Sequence, residues 1–472
     1  MNARACPIDA VSPDEPGAHF FFGYYDKCPW GPGDAARAPL LAHRTQFIDR
    51  FPDPGDPAAV GLIDPATRVF TPLAETRAWN WQQGAQLQWV KRPDRGDDAE
   101  VILYNDRRPS ARDPHRLLSV MIDTCGRELA RWDSPVYAVS PDGAAALTLS
   151  YPRLARLRPE YGYPGLKDPN SDADAPDDDG VWRLDLRSGR RELIASIAQV
   201  AAFRPAPLGA GRTHYVNHLM FNRSGTRLCF LHRFERADGI THSRLFTLGL
   251  DGADLRLLFE GMISHYHWRD DRTILAWAGR RKLLTLGGEG GGDRDTGARN
   301  PVAAAKGVAL NAARRTLKPI YYALGKPRWM MNRFLRDAYI LITDSPDAPT
   351  ADFAPGELTC DGHCTFSPDG RWVLTDGYPD RRTRQPLWLW DTTRNEGWEI
   401  GRYPTPRELD GPVRVDLHPR FSRDGTRVCI DSAMPRSGDT APRRRMFVCD
   451  VSLVTGTGAG GGGGARGAAG NR

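Results

Sequence analysis

The chain has 8 cysteines in 472 residues and no Cys-x-x-Cys pair among them, so neither a zinc ribbon nor a paired-thiol redox motif is expected. Cys6, Cys28, Cys125, Cys229, Cys360, Cys364, Cys429 and Cys449 mostly fall inside strand-like runs. Scattered thiols of this kind fit a reducing compartment better than a disulfide framework. Long apolar stretches are also missing: nothing reaches the roughly 18 residues of a membrane-spanning helix. The opening MNARACPIDAVSPDEPGAHF has no apolar centre, so no secretory signal is expected and the expected location is the cytoplasm. No G-x-S-x-G, P-loop or dinucleotide pattern stands in a strand-to-helix context. A large charge of one sign is lacking as well. The formal net charge is +6, while residues 301–336 alone hold eight Lys or Arg and no acid. The rest of the chain is therefore close to neutral, and nucleic acid is not an expected partner.

What is present is repetition. DGHCTFSPDGRWVLTD from Asp361 reads as a strand, a Ser-Pro-Asp-Gly turn and a second strand, because proline fixes φ and glycine accepts positive φ. The same grammar begins at Val136 (VYAVSPDGAAALTLS), His218 (HLMFNRSGTRLCFLHR) and His418 (HPRFSRDGTRVCIDSA). Third and fourth strands follow, as in SRLFTLGLDGADLRLLFEG and QPLWLWDTTRNEGWEIG. Four short antiparallel strands per unit of roughly 45 residues is the blade of a β-propeller. More degenerate units open at His19, Trp79 and Ser264, with AYILITDS as a late strand of the last. Seven blades fit best, and radial closure removes the exposed edges that an open sheet of this size would carry.

The expectation is thus an all-β chain: a seven-bladed β-propeller over 19–452 with four-stranded antiparallel blades and a partly helical insertion at 281–336. An N-terminal segment, 1–18, precedes it and a glycine-rich tail, 453–472, follows. Within the insertion, an Ala-rich basic stretch and the cluster Trp329, Met330, Met331, Phe334 and Leu335 suit either a lid on the propeller or contact with a membrane surface or protein partner. The acidic loop KDPNSDADAPDDDG is expected to be solvated and has no EF-hand spacing.

In a propeller the innermost strands begin on one common face. Tyr24 and Asp26, Asn80 to Gln83, Tyr137, Asn217 with His218, Ser264 with His265, Asp361 with His363, and Asp416 with His418 occupy that position in successive blades. Four of the chain's 11 histidines fall there, which marks a candidate site. Imidazoles from separate strands can bind a divalent ion, with Asn, Gln or water completing the shell, and one kept off the ion can act as a base. The structural alternative is that each histidine bonds the backbone of a neighbouring blade. His267 shares the face of His265 at a different depth. His43, beside Arg44, is placed to reach the rim, while His19, His115, His214, His232 and His242 read as ordinary blade or loop residues.

The hairpins HCTFSPDGRWVLTD and HPRFSRDGTRVCIDS resemble the repeats of TolB-type propellers. The histidine pattern resembles the oligogalacturonate lyase family, seven-bladed propellers that cleave uronate oligosaccharides by β-elimination with a manganese-type ion. That resemblance implies a metal-assisted lyase acting on uronate-containing oligosaccharide or polysaccharide. It assigns His218 as base and His265 and His363 as metal ligands. The family's glutamine ligand has no match, since Asp361 and Gly362 stand there, and His418 or Gln83 would substitute. Abstraction of a proton α to a carboxylate needs that carboxylate neutralised, and Arg44, Arg107 and Arg420 are the candidates near strand ends. Tyr24, Trp79 and Trp81 are candidates for stacking on sugar, with Gln83 and Asn217 as polar contacts. Two other classes stay open. One is a non-catalytic propeller scaffold that docks a partner or serves membrane-associated glycan assembly; the other is a hydrolase drawing its carboxylates from Asp26, Asp361 and Asp416.

Overall fold

The computed structural model describes residues 1–92, 99–111, 113–204, 211–236, 241–279 and 337–456. The basic insertion and the glycine-rich end of the tail lie outside the described residues. The repeated turns form as their chemistry requires. Ser140, Ser367 and Ser422 each turn their hydroxyl to the Asp two residues on, and each hydroxyl also accepts the backbone N–H that restarts the chain five residues later. The glycine that closes each turn sits at φ near +73°, as at Gly370 and Gly425, a conformation that a side chain would strain.

Among the described residues the strands form six sheets, five of four or five strands and one of seven. The seven-stranded sheet is two blades joined by a single 13-residue strand, Arg256–Trp268. Its first half pairs with Thr241–Gly249 and its second half with Thr273–Gly279. Counted in both, it gives seven antiparallel units in chain order, an all-β propeller. The strand Ala338–Thr343 continues the fifth unit after the insertion.

Closure differs from the expectation. The segment 1–18 is part of the propeller: Ile8–Ala10 pairs with Arg445–Asp450 as the outer strand of the last blade, and Asn2–Ala3 adds to the edge of Glu396–Pro404. The chain then enters the first blade at His19–Phe21, so the N-terminal segment ties the last two blades to the first. The stretch from Trp79 to Gln86 is not a strand; the second blade begins at Gln88–Lys91. A helix, Tyr151–Leu157, capped by Ser150, interrupts the third blade. The acidic loop behind it is not fully solvated. Asp168 is buried between Arg153 at 3.3 Å and Arg156 at 2.8 Å, and Arg153 also donates to the carbonyls of Asn170, Ala173 and Asp174.

Apolar faces of neighbouring blades pack on one another, with Trp30, Trp79, Trp81, Trp268 and Trp277 fully enclosed. The centre is filled from the first blade. Phe22 and Gly23 donate their N–H groups to Asp431 of the last blade at 3.1 and 3.3 Å. The Tyr25 hydroxyl both donates to the Tyr266 carbonyl and accepts its N–H, each at 3.1 Å. The segment from Phe22 to Tyr25 therefore links the last blade to the fifth.

Candidate metal centre

His218, His265, His363 and His418 converge around Tyr24 and Tyr25. The ring centroids of His265 and His363 are 4.2 Å apart and those of His363 and His418 are 4.3 Å apart. Tyr24 stands 5.1 Å from His218 and 5.2 Å from His418, and Tyr25 stands 5.5 Å from His218. Irregular backbone aims them. His218 and His418 hold left-handed conformations, with φ of 55° and 43°. Register shifts flank His218 between Asn217 and Met220 and His265 between Ile263 and Tyr266. Bulges and positive φ on non-glycine residues are local costs that proteins accept where side chains must be re-aimed.

Carboxylates fix two of the imidazoles. Asp376 accepts from His363 Nδ1 at 3.0 Å and from the His363 backbone N–H at 2.7 Å. Asp361 accepts from His265 Nδ1 at 2.9 Å and from Ser264 Oγ at 2.7 Å. A carboxylate can only accept, so Nδ1 carries the proton and Nε2 keeps its lone pair, the arrangement that orients metal-binding histidines. His363 Nε2 and His418 Nε2 are buried without a hydrogen-bond partner, and so are both ring nitrogens of His218. An unpaired buried polar atom costs on the order of 1–3 kcal/mol, and these nitrogens are free to take a ligand. His363, His418 and Asp416 each offer a ligand atom, all within 4.8 Å of one another. Two imidazoles and a carboxylate are a donor set suited to a divalent transition ion.

The electrostatics agree. Burial pushes the His218 and His418 pKa values far below the ordinary histidine range, helped by the cationic neighbours Lys27 at the first and Arg420 and Arg414 at the second. His265 is also lowered by burial, against the pull of Asp361. For His363, burial works downward, but Asp376, Asp416 and Asp361 outweigh it and raise the pKa. The negative potential that holds a proton there would hold a cation instead.

Several expected residues lie elsewhere, for visible reasons. Arg44 reaches out to Glu15 at 3.4 Å and lies over Phe70. Arg107 is buried against the Pro164 carbonyl. Arg420 is a strut, bound to Asp431 at 2.8 Å and to the carbonyls of Gly23 and Tyr24. Trp81 offers no open face: its indole donates to the Arg50 carbonyl at 2.7 Å, and its ring packs against Trp79, Phe21 and the Arg444 guanidinium. His43 is fully buried, stacked on Phe21 and accepting the Ala85 N–H at 3.0 Å, so it does not reach the rim. Gln83 stands beside the axis, donating to the Tyr137 hydroxyl at 2.6 Å and accepting from Gln86. Asn217, next to His218, leaves its Oδ1 buried and unpaired.

In place of the three expected arginines the fold brings others to the ring. Tyr161 packs 5.9 Å from Tyr24, and Arg158 lies 5.1 Å above the Tyr161 ring. Arg233 donates to the Ile263 carbonyl at 3.1 Å, just before Ser264 and His265. Arg414 donates to Asp416 at 2.8 Å. Lys27 pairs with Asp26 at 3.2 Å, and Asp26 lies 3.8 Å from His218 Nε2.

No family model matches the chain, and no curated protein matches it. Similar folds appear among solved structures. An oligogalacturonate lyase in complex with manganese aligns over 95% of this chain and 98% of its own, with a TM-score of 0.51 and 15% identity. The oligogalacturonate lyase from Vibrio parahaemolyticus aligns over 96% and 99%, with a TM-score of 0.52 and 12% identity. TolB from Acinetobacter baumannii aligns over 85% of this chain and 78% of its own, at 0.34 and 12%. The two lyases establish a shared propeller fold along nearly the whole chain.

Proposed function

We propose that the chain is a metal-assisted lyase that cleaves uronate-containing oligosaccharides by β-elimination. The observation that carries this reading is the set of unpaired imidazole nitrogens on His218, His363 and His418 beside the Asp416 carboxylate, on a fold shared with a lyase determined with manganese. The donors fit such an ion: His363, His418 and Asp416 would hold it, with His265 locked beside them by Asp361. When bound, a divalent ion would neutralise the substrate carboxylate and so acidify the proton on the adjacent carbon.

The chain's own groups supply the rest. His218 has no hydrogen-bond partner on either ring nitrogen and a pKa lowered by burial, so it is neutral and ready to accept the C5 proton. The electrons of the broken C–H bond form the C4–C5 double bond as the C4–O bond breaks; the departing oxygen takes up a proton from water, and His218 returns its own to solvent. Arg158, Arg233 and Arg414 bring positive charge toward the carboxylate, where a guanidinium fork pairs best. Tyr24, packed among His218, His363 and His418, would lie beneath the sugar.

A second reading draws on one specific feature. None of the four histidines is more than 5% exposed, which suits an ion that braces the axis of a non-catalytic scaffold. Incubation with oligogalacturonate and manganese separates the two. The lyase reading expects a rise in ultraviolet absorbance from unsaturated product, reduced about 100- to 10,000-fold in His218→Ala. An ion-binding protein that makes no such product supports the scaffold.

A further inference from the structure

We propose that Cys6 and Cys449 are a redox-sensitive pair whose disulfide locks the closure of the propeller. Ring closure depends on the N-terminal segment, whose ladders are short: two residues on Glu396–Pro404 and three on Arg445–Asp450. Cys6 lies between these two ladders, with its N–H on the Ile400 carbonyl at 3.0 Å. Cys449 is the direct partner of Ile8, two residues along the chain from Cys6. Both cysteines belong to one apolar cluster, with Cys449 1% exposed inside it and Cys6 packed against it from the partly open side. Tyr403 belongs to the same cluster.

The chemistry of the pair is asymmetric. The Cys6 thiol is pulled down to about 7, first by the Cys449 thiol beside it and further by Arg4, against burial. The same interaction, with burial, pushes Cys449 up. Near neutral pH, Cys6 is therefore the nucleophile. Its thiolate attacks a low-molecular-weight disulfide such as oxidised glutathione, forming a mixed disulfide and releasing one thiolate. Cys449 loses its proton and attacks the Cys6 sulfur, releasing the second thiolate and leaving the Cys6–Cys449 bond. Two electrons and two protons leave the protein, and the oxidant becomes two thiols. The bond would join the N-terminal segment to the last blade, closing nearly the whole chain into one loop, and a cross-link of that span restricts the unfolded chain strongly.

The test uses the full chain, reduced and then exposed to graded oxidised glutathione, with three readouts: free thiols, the linked peptide by mass spectrometry without reduction, and the thermal midpoint. The expected result is loss of two thiols from eight, a Cys6–Cys449 peptide, and a midpoint several degrees higher that dithiothreitol reverses. Cys6→Ser, changed at the partly open position, folds and shows none of these. Glutathione retained on Cys6 while Cys449 still titrates as a thiol would overturn the proposal. So would eight thiols surviving oxidation, or a linked peptide with an unchanged midpoint.

Discussion

Asp376 grips His363 twice, through Nδ1 at 3.0 Å and through the backbone N–H at 2.7 Å. One carboxylate thus sets both the position of the innermost strand and the direction of the imidazole. Removing its charge while keeping its shape isolates the second role. Asp376→Asn is expected to fold, to retain the far-ultraviolet spectrum of the wild type, and to bind manganese about 10- to 100-fold more weakly. Calorimetric titration of the two proteins checks this.

The cationic cluster around Tyr161 is expected to act on substrate and leave the ion alone. Arg158 touches no candidate ligand of the metal, so Arg158→Gln should keep the metal affinity of the wild type and raise KM for a uronate oligosaccharide about tenfold, the loss of one charge-assisted contact. Steady-state kinetics beside a metal titration separates the two effects.

Arg420 joins the last blade to the first-blade segment at the axis, with its charge balanced by Asp431. Asp431→Ala leaves a buried guanidinium uncompensated and removes the acceptor of the Phe22 and Gly23 N–H groups. A loss of about 3–5 kcal/mol is expected, read as a lower urea midpoint with an unchanged slope.

His43 gives a pH dependence independent of the ring. Burial lowers its pKa from 6.5 to about 4. Between those values the unfolded chain binds a proton that the native chain refuses, so stability is full above pH 6.5 and declines as the pH falls toward about 4. The contribution is at most about 3 kcal/mol. Urea midpoints measured from neutral to mildly acid pH should fall in the wild type, and part of that slope should vanish in His43→Gln.

Much of this was legible because a propeller repeats its rules. Four histidines at the entrances of equivalent strands can be read from spacing, and the structure brings all four together. Asp416 was visible two positions before His418 as a polar neighbour, but its place within 4.8 Å of two imidazole nitrogens depends on how blades pack. Asp376 left a weaker signal. It ends the second strand of its hairpin, Asp106 and Asp431 stand one residue before the ends of theirs, and each of these three accepts backbone N–H groups at the start of an inner segment. Alternation misled where there was no strand: residues 79–86 form turns, so Trp81 packs inward. Arg158 comes over Tyr161 from an inserted helix end and Arg233 meets the Ile263 carbonyl from a second strand, and no local pattern encodes those placements. The closing strand Ile8–Ala10 has only three residues, too few for periodicity to register.

The central claim is that the imidazole cluster holds a divalent ion, and metal content tests it most directly. Purified wild-type protein loaded with manganese and desalted should retain about one ion per chain by elemental mass spectrometry, while His363→Ala/His418→Ala retains none. Equal metal in both proteins, or none in either, would contradict the account.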